Sequence, residues 1–286
     1  MLTPAADTLA ELRAEIDRID LEMHRLLMAR GEIIDRLIAV KRAQGGGCAF
    51  RPDREAHMMR ALVERHRGLL PVDTVEGVWR VIVSTFTFVQ NHYAVHGDDA
   101  GDAQMRDSAR FHFGFTVPYV PHAGVGAVID AVVASTGDLG VLRATAAPGA
   151  GAWWTRLIGD DAPKIIARLP FVERPDHPAG LPVFVVARLT PDAASRDVLL
   201  YAVQAPQESD AITTRLAALG CELLASAPHA GGRALMIAAP GTLATARLEQ
   251  ALTEAGVTGA TLAHIGSHAE RYELSGAHSR DFAPGS

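Results

Sequence analysis

From Thr8 to about Gln44 the apolar residues fall at Leu9, Leu12, Ile16, Ile19, Met23, Leu26, Ile33, Leu37 and Val40. Spacings of three and four put them on one face of a helix. Asp7 or Thr8 can cap its start, no proline interrupts it, and Gly45-Gly46-Gly47 stops it. The pattern predicts a helix of about 36 residues, ~54 Å long at the usual helical rise. So long a single stripe cannot be covered by two shorter helices alone, which predicts pairing with a second copy of the chain.

Pro52 and Asp53 open a second predicted helix reaching about His66, and Val72 or Asp73 a third reaching about His92. The polar, Gly-rich stretch Val95 to Gln104 reads as a linker. Beyond it come short apolar runs broken by Gly and Pro: Phe111 to Val120, Leu139 to Leu142, Pro182 to Leu189, Val198 to Val203, Ala234 to Ala239 and Thr261 to Ile265. Helical patterns intervene at Gly124 to Ser135, Asp210 to Leu219 and Thr242 to Ala255. Strands alternating with helices mean α/β or α+β. Asp192 to Arg196 punctuates this part, leaving a strand-helix-strand-strand-helix-strand order behind it. The expected architecture is therefore multidomain: an all-α three-helix domain over 1–94, a linker over 95–106, an α/β region over 107–192, an α+β module over 193–275 and a tail over 276–286.

With 48% hydrophobic and 21% charged residues, the 286-residue chain has an ordinary globular composition. Cys48 and Cys221 are too few for a disulfide framework. The N-terminus lacks an uninterrupted apolar segment and no later stretch approaches 18 apolar residues without a charge, so the expectation is a cytoplasmic protein that meets no membrane. Residues 1–94 hold 13 basic and 13 acidic residues, so the net charge of -6 lies wholly behind them. That balance provides no basic face for nucleic acid. The 12 His residues show no ligand spacing, and Gly124-x-Gly126 lacks the rest of a dinucleotide fingerprint, so neither metal nor cofactor is expected.

The stripe of the first helix is broken by Arg30, a cation where an apolar residue belongs; Lys41 follows eleven residues later on nearly the same face. Two such cations about 16 Å apart along a helix can converge on a small dianion, or each can make a structural ion pair. Arg54 and Glu55 sit in the first turn of the second helix, where a carboxylate also suits the helix dipole. On the third helix Ile82, Phe86 and Gln90 are spaced by four, which puts the Gln90 amide on an apolar stripe read as facing inward; it also suits a satisfied helix-end residue.

Together, Leu12-Arg13-x-x-Ile16-Asp17-x-Ile19-Asp20, then Arg30 and Lys41, then Pro52-x-Arg54-Glu55, then Gln90, resemble the all-helical, AroQ-class chorismate mutases over residues 8 to 93. The resemblance implies conversion of chorismate to prephenate, a pericyclic rearrangement without metal or redox cofactor. Carried over by position, Arg13 and Arg30 clamp the carboxylates, Lys41 and Gln90 donate to the ether oxygen, Glu55 holds the hydroxyl, and Arg54 binds or supports. Arg13 and Arg30 are 17 residues apart, about 25 Å by the helical rise, too far to grip one small molecule. Arg13 then serves the partner's site, and the resemblance implies the same intertwined dimer. Two positions depart from the family: Arg51, where relatives often carry an acidic residue, and Phe86, where they often carry a small hydroxyl residue.

In the back half, Asp130-Ala131-Val132 and Gly137-Asp138-Leu139-Gly140-Val141-Leu142 resemble part of the periplasmic-binding-protein-like domain of prephenate dehydratase, and the tail through His264-Ile265-Gly266-Ser267-His268 resembles an ACT regulatory module. The run that supplies the dehydratase threonine is missing: Gly180-Leu181-Pro182-Val183-Phe184 stands there, and Thr155-Arg156-Leu157 is the nearest remnant. Residues 143–146 likewise replace the Glu-Asn-Ser run, and Ala205-Pro206-Gln207 and Ala225-Ser226-Ala227-Pro228 replace the ACT effector elements. The expectation is a mutase with a non-catalytic or regulatory back half that offers an effector site in the ACT-like module. Its rivals are a bifunctional mutase and dehydratase, and a catalytically silent binding or scaffold protein.

Overall fold

The computed structural model describes residues 8–43, 50–99, 101–144, 151–173, 177, 179–188, 194–206, 209 and 211–273. They form two compact units, Met1–Gly47 and Cys48–Ser286.

Among the described residues the first unit is one helix, α1 (Leu9–Ala43). Thr8 starts it through a reciprocal capping box: the Thr8 N–H and hydroxyl donate to Glu11 Oε2, both at 2.7 Å, and the Glu11 N–H donates back to Thr8 Oγ1 at 3.3 Å. The alternative cap Asp7 and the stop at Gly45 to Gly47 lie outside the described residues. The helix buries no side chain, and Leu9, Leu12, Ile16, Ile19, Met23, Leu26, Ile33 and Val40 of the stripe are exposed.

The second unit opens with α2 (Pro52–Arg65), whose proline occupies the first turn, and α3 (Val72–Gln90). Its remaining helices are α4 (Ala103–Phe113), α5 (Val125–Ala134), a 3-10 turn at Trp153–Leu157, α6 (Ile212–Ala217) and α7 (Thr245–Glu254). Its strands are β1 (Val95–Asp98), β2 (Tyr119–His122), β3 (Leu139–Arg143), β4 (Lys164–Leu169), β5 (Val172–Glu173), β6 (Val183–Ala187), β7 (Val198–Ala205), β8 (Glu222–His229), β9 (Gly232–Pro240), β10 (Thr261–His268) and β11 (Tyr272–Glu273).

Nine strands make one sheet in the order β2-β1-β3-β6-β4-β10-β7-β9-β8, and β5 pairs with β11 apart from it. β1 runs parallel to β2 and β3, while β6 is antiparallel to both its neighbours. Within β7-α6-β8-β9-α7-β10 the spatial order is fourth, first, third, second, all antiparallel, a ferredoxin-like α+β arrangement. β10 joins the halves by running parallel to β4, and there Gly266 (φ 144°) leaves no room for a Cβ, which would lie 2.1 Å from the Ile165 carbonyl oxygen.

Side chains alternate between the two faces, as the pleat requires. Leu139, Val141, Val183 and Val185 pack with Ala56, Met59, Leu62 and Val63 of α2 and with Met105 and Phe113 of α4. Leu142, Phe184, Val186, Leu200 and Ile265 pack on the other face with Val128, Ile129 and Val132 of α5 and with Trp154 and Leu157. Helices α6 and α7 cover Leu199, Tyr201, Val203, Leu235 and Ile237.

These contacts correct two expectations. Residues 95–106 are not a linker, because Val95 and Gly97 of β1 are buried between two parallel strands and Asp102 caps α4, accepting from the Gln104 N–H at 2.9 Å. A three-helix front domain over 1–94 is not one compact unit, because α2 shares its core with the sheet. The strands of 107–192 and 193–275 join in one continuous sheet. Smaller misreadings follow the same lines: Phe111 to Val120 holds the end of α4 and the start of β2, and Lys164–Leu169 and Glu222–His229 are strands. The tail over 276–286 lies outside the described residues.

Candidate active site

On α1, Arg13 is exposed, while Arg30 and Lys41 are half-buried. On the second unit, Arg51 occupies the N-cap position of α2, its carbonyl accepting the Glu55 N–H at 3.0 Å. Arg51 and the neighbouring Arg54 are exposed. Glu55 turns inward and is 7% exposed. Its Oε2 accepts from Arg80 Nη1 of α3 at 3.1 Å, and the Arg80 guanidinium lies 5.0 Å from the centre of the Phe171 ring. Burial pushes the Glu55 carboxyl above its ordinary range, outweighing the downward pull of Arg80.

The inward face of α3 is Glu76, Arg80, Val83, Ser84 and Thr87, not the Ile82-Phe86-Gln90 stripe, whose members are half-buried. The Gln90 amide donates to the Phe86 carbonyl at 3.0 Å, closing the last turn of the helix. The structure thus brings Glu55 to Arg80 and Gln90 to Phe86, whereas Arg13, Arg30 and Lys41 belong to the other unit. Sequence reasoning missed Arg80. The signal was available as polar residues at Glu76, Arg80, Ser84 and Thr87, a helical spacing on a largely apolar helix.

Residues 12–91 match the family model described as chorismate mutase type II. The front of the chain carries a chorismate mutase domain. It runs from the first turn of α1 through the end of α3, so the mutase domain takes in every candidate residue, from Arg13 to Gln90. Two curated relatives, both named bifunctional chorismate mutase/prephenate dehydratase, are 27% identical to this chain: the one from Aquifex aeolicus (strain VF5) over 140 residues and the one from Stutzerimonas stutzeri over 141. Each match takes 48% of this chain and, respectively, 38% and 39% of the relative, so the chain spans about two fifths of the length of these relatives. Among solved structures, prephenate dehydratase from Streptococcus mutans aligns at a TM-score of 0.42 and 15% identity, covering 63% of this chain and 99% of that one.

Behind the mutase domain, Thr155 donates its hydroxyl to the Ala152 carbonyl at 2.8 Å within the 3-10 turn, and Arg156 binds Asp130 and the Gly126 carbonyl. Phe184, at the place expected of the dehydratase threonine run, is fully buried. Sequence reasoning also passed over a relay at the ends of β1 and β2. His96 Nε2 meets Asp138 Oδ2 at 3.1 Å and His96 Nδ1 meets His122 Nε2 at 2.9 Å, while Asp138 Oδ1 accepts the Ala94 N–H at 2.8 Å. A carboxylate accepting from Nε2–H leaves His96 Nδ1 to accept from His122. Among the described residues no helix is long and apolar enough to cross a membrane.

Proposed function

We propose that the chain catalyses the rearrangement of chorismate to prephenate as a homodimer in the cytoplasm, using Lys41, Gln90 and Glu55 with Arg13, Arg30, Arg54, Arg51 and Phe86 around the substrate. The family match over residues 12–91 carries this reading, since it spans all of those positions. As the ether C–O bond breaks and the new C–C bond forms, negative charge grows on the ether oxygen. Preorganised donors aimed at that oxygen lower the barrier, and fixed cations hold the two carboxylates in a reactive conformation. Arg30 takes one carboxylate and Arg13 of the partner subunit the other. Lys41 and Gln90 donate to the ether oxygen, and Glu55 accepts from the hydroxyl. The Arg80 contact supports that role of Glu55, because it fixes one carboxylate oxygen and leaves the other to accept. The exposed stripe of α1 supports pairing with a second copy, through which Arg13 reaches the partner's site.

For the back half we infer a dehydratase-like α/β region over 107–192 and an ACT-like α+β module over 193–275, non-catalytic or regulatory, with an effector site in the module. The fourth-first-third-second strand order supports the second of these. The names of the curated relatives favour a bifunctional mutase and dehydratase as the second reading. Both are tested by following chorismate absorbance with purified protein and assaying phenylpyruvate before and after acid. Loss of chorismate with phenylpyruvate only after acid is the expected result. Phenylpyruvate without acid means the second reading, and untouched chorismate overturns both.

A further inference from the structure

β4 and β10, the strands through which the two halves of the sheet join, are both irregular where they meet. β4 bulges between Ile165 and Ala167, and β10 between His264 and Gly266. A bulge bends its strand and interrupts the ladder, and bulges gather next to sites where a side chain has to be re-aimed. A cavity of about 680 Å³ opens against both strands here, walled also by the loop Gly159 to Ala162, by Arg188 just after β6 and by Arg196 ahead of β7. The volume is that of a small-ligand pocket.

The lining brings three cations, Lys164, Arg188 and Arg196, into the part of the chain where acidic residues outnumber basic ones. Lys164 is pinned by two carbonyls, its Nζ donating to Leu157 at 2.7 Å and to Gly159 at 2.6 Å. One of its three protons is left for another acceptor. Arg188 spends an N–H on the Val133 carbonyl at 3.1 Å, and the exposed Arg196 guanidinium meets no acceptor among the described residues. His264 registers the resulting field: partial burial and then the charges of Arg196 and Lys164 hold its pKa below the usual 6.5. The ring is therefore neutral at neutral pH and offers a lone pair. Cations gathered in this way repel one another, a cost that an anion among them removes. The remaining charged groups of the lining are Asp160 and Asp161, both exposed and able only to accept hydrogen bonds. Burial pushes the Lys164 pKa down, and Asp160 pulls it back up.

We propose that this cavity binds a small hydroxylated anion, a phosphate or carboxylate head group carried on a polyol. The head group accepts from Lys164, Arg188 and Arg196, and the hydroxyls donate to Asp160, Asp161 and His264. A bare anion faces the aspartates with nothing to donate to them, and an uncharged polyol leaves the three cations without their acceptor; each loses affinity for that reason. No residue of this site belongs to the mutase domain, so either reading can fail without the other.

The test is calorimetric titration of the full chain with glucose 6-phosphate, gluconate, inorganic phosphate and glucose. Saturable binding of glucose 6-phosphate or gluconate is expected, with inorganic phosphate weaker by about tenfold for the lost hydrogen bonds to charged acceptors and no saturation by glucose. Glucose 6-phosphate alone identifies phosphate as the head group, gluconate alone a carboxylate. Arg196→Gln, which changes an exposed side chain, is expected to weaken the better ligand by about tenfold. Asp161→Asn is expected to weaken that ligand while leaving inorganic phosphate no weaker. Absence of saturable binding by both hydroxylated anions overturns the proposal, as does an affinity that Arg196→Gln leaves unchanged. So does inorganic phosphate binding as tightly as they do, a comparison on the wild type that stands even if a variant fails to fold.

Discussion

Arg80 is 2% exposed, and it pairs with a carboxylate that is itself buried. Such a pair adds little net stability over an apolar one, but removing one partner strands the other charge. Arg80→Met is therefore expected to cost about 3–5 kcal/mol at neutral pH, read by urea unfolding. The Glu55 pKa is raised above its ordinary 4.5, so its contribution is present below that value and lost as pH rises through the raised one. The penalty of Arg80→Met should accordingly shrink on acidification, as Glu55 takes up a proton. A penalty independent of pH would mean that lost packing on Phe171 is responsible. The relay at the sheet edge has the opposite sign. Burial, and after it His96, lower the His122 pKa from 6.5, so its contribution is present above 6.5 and lost as pH falls through the lowered value. His122→Gln is expected to flatten the fall in Tm below pH 6.5, while an unchanged profile would remove His122 from the acid response.

At the scale of elements, legibility followed periodicity. Helix α1 was read to within a residue or so of its observed ends because a 35-residue stripe of one period has no competing interpretation. β1 was missed for the converse reason. Val-His-Gly-Asp has a single large apolar side chain, and only its parallel neighbours on both sides make it a strand. The candidate residues on α1, α2 and α3 were legible as an ordered set, but Arg80 was not, because the inward face of α3 is chosen by the sheet-side core rather than by the apolar stripe of the helix. Two variants test the element packing. Ile19→Glu, in the middle of the exposed α1 stripe, should convert a dimer to a species near the 30.4 kDa chain mass in light scattering, with the helix content of the second unit retained. A dimer surviving this change would put the partner elsewhere. In the sheet, a Cβ on Gly140 would lie 2.7 Å from Val186 and 2.9 Å from Val128, so Gly140→Ala should destabilise by about 1–3 kcal/mol through overpacking between β3 and α5.

At the scale of the molecule, the question is where the chain can be cut. The sequence places a boundary near residue 95, which would make residues 1–94 separable from the rest. The apolar core argues otherwise. None of the buried residues in its three clusters precedes Phe50, while Phe50, Ala56, Met59, Leu62 and Val63 interlock with Val95, Ile166 and Leu169 of the strands. Deleting residues 1–47 removes the first compact unit whole, and the remainder, which keeps all three clusters of the core, should still unfold in one cooperative transition. It should also lose all turnover of chorismate, since Arg13, Arg30 and Lys41 go with the helix. Deleting residues 1–94 takes α2 and α3 from the core they share with α4 and strips Ala56, Met59, Leu62 and Val63 from the cluster that holds Ile166, Leu169, Val183 and Val185. Several buried side chains at about 1.5–3 kcal/mol each exceed the whole stability of an ordinary domain. That shorter chain should aggregate or give no cooperative transition. Calorimetry of both truncations decides the matter: a stable protein after the cut at 94 would restore the linker and the independent three-helix domain, whereas stability only after the cut at 47 means that the mutase domain borrows two of its three helices from the structural core of the region that follows it.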